Sequence, residues 1–440
     1  MKKKLLGLLL SATMVAGMLA GCGGQEQTAG GGTKPATDGA AAGDATGGGA
    51  AAGDALVYWS MWESTEPQAQ VIQAAIEKYT ADTGVKVDVQ FKGRTGQREG
   101  LEPALAAGQQ IDLFDEDVDR VNTTWGKYLL DLESLAKETG YETNANPTLM
   151  AVAREVGGGT LKSIPYQPSI FAFFYNPQLF DQAGIKETPK TWDEFLTVCQ
   201  KLKDAGIVPI TCDDAYIDGM IGYHLARLGG EDKVVDIVTN GTWEDPIVMQ
   251  MAQDYEQLAS KGYFSENIGQ NVWPAGQNTE FALGGAAMYL NGSWLPNEVK
   301  GMAGEDFEWG CFSYPALDGG KDGVEAMNIS NQVFAINKDS KLSKEAFELI
   351  SYITQGEFDK MMSEQALCIP ADVTNSEWPP QVAAVKPVFE SVTLEGRYSW
   401  VAGIESNNDI TPIVKENFTK LCAGTMTAQE FVDAMVAASK

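Results

Sequence analysis

Carboxylates and indoles recur side by side along this chain, and the pairing has a definite chemistry. Asp115-Glu116-Asp117 closes one apolar run, and Asp213-Asp214 closes another just before Tyr216. Trp59, Trp62, Trp273, Trp294, Trp378 and Trp400 each stand beside turn residues or acids. An aromatic face offers the C–H surface of a sugar ring a flat apolar partner, while nearby carboxylates and amides pair with its hydroxyls. Hydrogen bonds to charged groups are worth about 1.5 to 3 kcal/mol each, so a few of them set a ligand's orientation.

Other chemistries find less support. Paired acids could serve a glycosidase, but no G-x-S-x-G, Walker loop or H-E-x-x-H accompanies them. The D-x-[DN]-x-[DN]-G spacing of a calcium loop is missing too. The single histidine, His224, falls on an expected helix beside Leu225 and reads as structural. Catalytic residues, metal ligands and cofactors are therefore expected to be none. A formal charge of -28 excludes nucleic acid as a partner. Apart from Cys22, the cysteines are Cys199, Cys212, Cys311, Cys368 and Cys422, an odd set without metal-ligand spacing. Free, largely buried thiols are expected, with one disulfide left open.

The elements that must position these groups follow an α/β rhythm. Leu56 to Ser60 reads as a buried strand, and Pro67 opens a helix whose Val71, Ile72, Ala75, Ile76 and Tyr79 share a face. Gly84 ends that helix, Val85 to Phe91 alternate as a strand, Leu101 to Gly108 reads as a short helix, and Ile111 to Phe114 as the next strand. Ligands in open α/β sheets sit beyond strand carboxyl ends, so Ser60 to Glu63 and Asp115 to Asp117 are placed on one rim. From Ile164 to Cys212 the chain reads strand, helix, helix, strand. Asn176 and Pro177 start the first helix, and Thr191-Trp-Asp-Glu194 forms a capping box for the second. A further box, Thr427 to Glu430, precedes the last helix.

Three stretches carry a family resemblance: YNPQLFDQAGIKETPKTWDEF at 175–195, FALGGAAMYLNGSW at 281–294 and ISNQVFAINKDSK at 329–341. Together they resemble extracellular solute-binding proteins of the maltodextrin-binding type, over nearly all of the chain after Leu56. The resemblance implies a two-lobed, periplasmic-binding-protein-like type II clamp of α/β class with discontinuous lobes and a hinge crossed three times. Lobe 1 is expected over 55–170 and 315–368, and lobe 2 over 171–314 and 369–440. Crossings are expected near Ile164 to Pro168, Cys311 to Pro315 and Cys368 to Pro370. In the resembled "NG-x-W" motif the tryptophan lines a sugar cleft, and here it is Trp294. Asp214 and Tyr216 fall where the family sets an acid and an aromatic against the sugar. Asp115 and Asp117 match the acid position after a first-lobe strand, where the family more often reads Pro-Asp. Tyr166, Asn331, Arg397 and Trp400 join by position. With Trp59, Trp62, Glu63 and Trp273 they complete the expected ligand-binding set.

Met1 to Gly21 holds three lysines, an apolar run too short to span a bilayer and then Leu19-Ala-Gly-Cys22, a signal peptide that resembles a bacterial lipoprotein box. The resemblance implies cleavage before Cys22 and a lipid on its sulfur. Residues 22–54, rich in Gly and Ala, are expected to tether the body to the membrane. The function implied is a monomeric, extracytoplasmic substrate-binding lipoprotein that hands a sugar or oligosaccharide to the permease subunits of an ABC importer. A polyamine or amino-sugar binder of the same fold is the alternative. A secreted glycosidase and a surface sensor are more remote ones.

Overall fold

In the computed structural model, residues 55–304 and 306–440 are described. Cys22 and the expected signal peptide and tether lie outside them. Nine strands are found: β1 (Ala55–Ser60), β2 (Lys86–Phe91), β3 (Leu113–Asp117), β4 (Ile164–Tyr175), β5 (Ile210–Thr211), β6 (Met288–Gly292), β7 (Gly310–Phe312), β8 (Met327–Ile336) and β9 (Arg397–Tyr398). The order is β2-β1-β3-β8-β4-β6-β5, with β7 added to β4 and β9 to β8. β1 pairs in parallel with β2 and β3, and β5 with β6, while β8 runs antiparallel to β3 and β4.

The long strand β4 joins two regions of this sheet. Ile164 to Ile170 pair with β8, whereas Phe171 to Tyr175 pair with β6 and, over the last three residues, with β7. The hydrophobic cores change at the same place. Ile164 and Tyr166 pack with Leu56, Tyr58, Ile72, Leu113 and Phe347, while Ile170 to Phe174 pack with Phe195, Ile221, Tyr255, Leu290 and Phe418. On β8, Phe334 and Ile336 belong to the first core and Met327 and Ile329 to the second; later, Cys368 belongs to the first and Ile369 to the second. Tyr314 and Leu317, expected at or beyond a crossing, pack in the second core. The two cores meet along β8 as they do along β4, because the antiparallel ladder between these strands extends past both.

Local signals act as their chemistry requires. Asn176 accepts from the backbone N–H groups of Gln178 and Leu179, and Pro177 occupies the first turn. Thr191 and Glu194 form a reciprocal capping box at helix Trp192–Asp204, as do Thr427 and Glu430 at helix Ala428–Ala438. Gly84 ends helix Pro67–Thr83 at φ 77°, a left-handed turn that favours glycine. The expected short helix at Leu101 to Gly108 is longer, Gly93–Ala106. The strand expected at Ile111 to Phe114 runs instead from Leu113 to Asp117, because β8 pairs with every one of those residues.

The five cysteines Cys199, Cys212, Cys311, Cys368 and Cys422 are free, four of them buried and Cys311 half-buried. Among the described residues no helix is long and apolar enough to cross a membrane.

Candidate functional site

The extension of β3 decides the fate of its acids. Asp115 is fully buried, accepting from Tyr166 Oη at 2.6 Å, Tyr58 Oη at 3.0 Å and the Met61 N–H at 3.3 Å. Burial lifts its carboxyl to about 7, opposed by the hydrogen bonds it accepts. Expected on the rim, Asp115 lies beneath it, since alternation along β3 turns its side chain toward Tyr58 and Tyr166. Tyr166 Oη in turn accepts from Trp62 Nε1 at 2.8 Å, so the buried acid holds the indole through one tyrosine. The Arg94 guanidinium lies 4.7 Å from the Trp62 ring centre and grips both oxygens of Glu66 at 3.0 and 3.1 Å.

Trp59 points the other way. It is 6% exposed, packs with Leu101, Phe114 and Val333, and has Lys92 Nζ 3.9 Å above its ring. That places it inside a small core; Trp62, 4% exposed, is buried as well, packed in the core with Tyr58 and Tyr166. Glu63 is exposed, and its carboxylate occupies the space that a Cβ at Gly93 would need. Asp117 is half-buried at the start of helix Val118–Thr124, where it accepts from the N–H groups of Asp119 and Arg120 and from Ser330 Oγ at 3.0 Å. Burial raises its carboxyl to about 6.

In the second region four aromatic side chains converge. Trp294 Nε1 donates to Tyr216 Oη at 3.1 Å, and the ring centres of Trp294 and Trp400, and of Tyr216 and Trp294, are both 6.0 Å apart. Trp400 meets Phe171 edge-on at 5.3 Å and Tyr216 at 6.3 Å. Trp294 and Trp400 remain half-buried, so the cluster presents part of its surface. Beneath it Asp213 accepts from Tyr289 Oη at 2.6 Å and from the N–H groups of Ala215 and Tyr216 at 2.8 and 2.7 Å. Asp214, the expected acid, is exposed and accepts from the Trp273 N–H at 2.9 Å. Trp273 is 43% exposed, and its Nε1 reaches Glu298 at 3.4 Å.

The remaining expected residues diverge. Arg397 is committed: Nη2 donates to Asp119 Oδ1 at 3.1 Å and Nε to the Ile329 carbonyl at 3.2 Å. Asn331 is 1% exposed, and neither polar atom of its amide has a hydrogen-bond partner among the described residues. Trp378 packs against Phe389 under Lys386. Phe171, Arg94, Asn278 and Glu298 carry no sequence signal of their own as site residues: Phe171 lies inside a strand-like run, and Arg94 and Glu298 show no periodicity. Of the pair Asp213-Asp214, it is Asp213 that lies beneath the aromatic cluster.

Hydrolytic machinery is not assembled around His224. It is fully buried between Tyr314 Oη and Asp254 Oδ2, each at 2.9 Å, and burial lowers its pKa. No group of three or more His, Cys, Asp or Glu residues among those described is placed to hold a metal ion.

A probable ABC transporter-binding protein of Deinococcus radiodurans is 26% identical over 286 residues, which is 59% of this chain and 63% of that one. The chain thus spans less than two thirds of that relative. A diacetylchitobiose binding protein of Streptomyces coelicolor is 26% identical over 369 residues, covering 79% of this chain and 78% of that one. Among solved structures, a chitin oligosaccharide binding protein superposes with a TM-score of 0.68 at 22% identity, over 88% of this chain and 98% of the other. At that identity it shows the fold, which is the two-lobed α/β arrangement. The model of the bacterial extracellular solute-binding proteins matches residues 62–357, and this chain belongs to that family.

Proposed function

We propose that this protein captures a sugar or oligosaccharide between two lobes and delivers it to the permease of an ABC importer. The observation that carries the reading is the convergence of Tyr216, Trp294 and Trp400, with hydrogen-bonding acids beside them. Indole and phenol faces match the C–H surface of a pyranose, and fixed carboxylates orient its hydroxyls. Lobe 1 is assigned the core around Leu56, Phe334 and Phe347, and lobe 2 the core around Phe171, Tyr255 and Phe418. Trp62 and Asp117 contribute from the first, and Tyr216, Trp273, Trp294 and Trp400 from the second. Ligand contacts from both sides favour the closed form by their difference in affinity for closed and open states.

A thermal-shift screen over mono- and oligosaccharides with polyamines alongside tests this, because a ligand that binds only the native state raises the melting temperature. The expected hit is a saccharide, recovered chemically unchanged after prolonged incubation. A polyamine as the only hit, or cleavage of the sugar, would replace the reading. The Leu19-Ala-Gly-Cys22 motif supports attachment through a lipid on Cys22. With Cys22→Ser, the protein is expected in the medium rather than in the membrane fraction.

A further inference from the structure

Glu298 lies on the short helix Leu295–Val299 that follows Trp294 directly. Both hydrogen bonds to its carboxylate fall on one oxygen: Oε2 accepts from Asn278 Nδ2 at 3.0 Å and from Trp273 Nε1 at 3.4 Å. Oε1 receives no hydrogen bond from the described residues. The side chain is half-buried, and burial raises its pKa, with Asp213 adding to the effect. Arg94 is the basic residue whose charge opposes that rise. Its guanidinium, however, is taken up by Glu66 and by the face of Trp62. Glu298 thus holds a partly desolvated negative charge with one open oxygen and no ion-pair partner among the described residues, beside Trp273 and close enough to Tyr216 to raise the phenol's pKa further.

Such a carboxylate discriminates among sugars by what they donate. A neutral hydroxyl supplies a hydrogen bond but leaves the charge uncompensated. An ammonium group supplies both, gains from neighbouring aromatic faces, and forms a charge-assisted bond about twice as strong as a neutral one. An acetamido N–H is intermediate, a polarised donor without charge. We propose that Glu298 is a specificity-determining residue of this site, its Oε1 accepting from a nitrogen substituent on a sugar ring seated against Trp273 and Tyr216. The inference rests on the sugar-binding reading and narrows it to nitrogen-bearing saccharides.

The test is calorimetry on the full chain with three β-1,4 disaccharides of matched shape: the chitosan disaccharide, N,N′-diacetylchitobiose and cellobiose. At least one nitrogen-bearing sugar should bind about tenfold or more tighter than cellobiose, a difference of about 1.4 kcal/mol. The tighter of the two identifies the group as ammonium or acetamido. Glu298→Gln keeps the shape and removes the charge. It should weaken the nitrogen-bearing sugar by about tenfold or more, with cellobiose changing less than about threefold. Equal affinities for all three sugars in the unsubstituted protein would overturn the proposal without any variant having to fold. Equal losses on all three in Glu298→Gln would overturn it as well, by reducing Glu298 to a structural role. If another saccharide binds and neither nitrogen-bearing one does, the sugar reading stands and this one falls. If no saccharide binds, both fall.

Discussion

At Gly292 a Cβ would sit 2.3 Å from three carbons of the Trp294 ring, so the indole lies flat on β6 only because that residue has no side chain. The Asn-Gly pair and the tryptophan two residues on are therefore one device, and Gly292→Ala should displace the ring. We expect both Gly292→Ala and Trp294→Ala to weaken ligand binding by about tenfold or more, a loss near 1.4 kcal/mol. Calorimetry with the ligand found by screening checks this, and an unchanged affinity in Trp294→Ala would take that residue out of the site. In the first core, Tyr166→Phe removes the hydroxyl that links Trp62 to Asp115 and leaves a buried acid short of one donor. A stability loss of about 1 to 3 kcal/mol in urea unfolding is the expected result. Tyr216, Trp294 and Trp400, which the structure brings together, are conspicuous in the sequence as aromatic residues beside turns. The pairing of Arg397 is not, since its partner Asp119 lies 278 residues away, and a cation already paired looks in sequence like one that is free.

Helix Trp192–Asp204 shows how much a local motif can settle. Its capping box, its buried Trp192, Phe195, Cys199 and Leu202, and its end near Gly206 all depend on residues within one turn of each other. Thr191→Ala should cost about 1 kcal/mol of stability, read as a lower urea midpoint, with ligand affinity untouched because the bonds of the cap run between Thr191 and Glu194 and involve no residue of the aromatic cluster. Strand β3 is the opposite case. Where it stops is decided by β8, which supplies partners as far as Asp117↔Gln332, so Asp115 goes inward on the authority of a strand more than 200 residues later. The same long-range pairing sets Phe334 and Ile336 of β8 in one core and Met327 and Ile329 in the other. Helix Leu295–Val299 is too short to show a period at all, and this is why Glu298 stayed hidden beside a motif that was recognised.

Across the molecule, several carboxyls are held above their usual range by burial. Asp115 and Asp359 are raised to about 7 and Asp117 to about 6, and Asp218, beside Lys415, is also shifted upward. Each binds its proton more tightly when folded than when unfolded. The stabilisation is therefore complete below the unfolded value near 4 and is lost as pH rises through the folded value. The melting temperature should fall as pH rises from about 4 to about 7, and Asp115→Asn should flatten that decline. A decline as steep in Asp115→Asn as in the unsubstituted protein would remove that acid from the account. Asp119→Ala, which deprives Arg397 of its carboxylate, should lower stability by about 1 to 3 kcal/mol, and because the Asp119 charge also helps raise the Asp117 carboxyl it should soften that decline slightly. The antiparallel ladder of β4 and β8 carries a last consequence. Two adjoining strands stitched together along their length resist shear and splaying, and their register shifts once, between Tyr166 and Pro168, where Gln167 takes φ 45°. Under the clamp proposed above, motion between the regions on either side is expected about that crease, as with the spine of a book. The amides of that spine should be among the slowest in the molecule to exchange their hydrogens, however widely the covers swing.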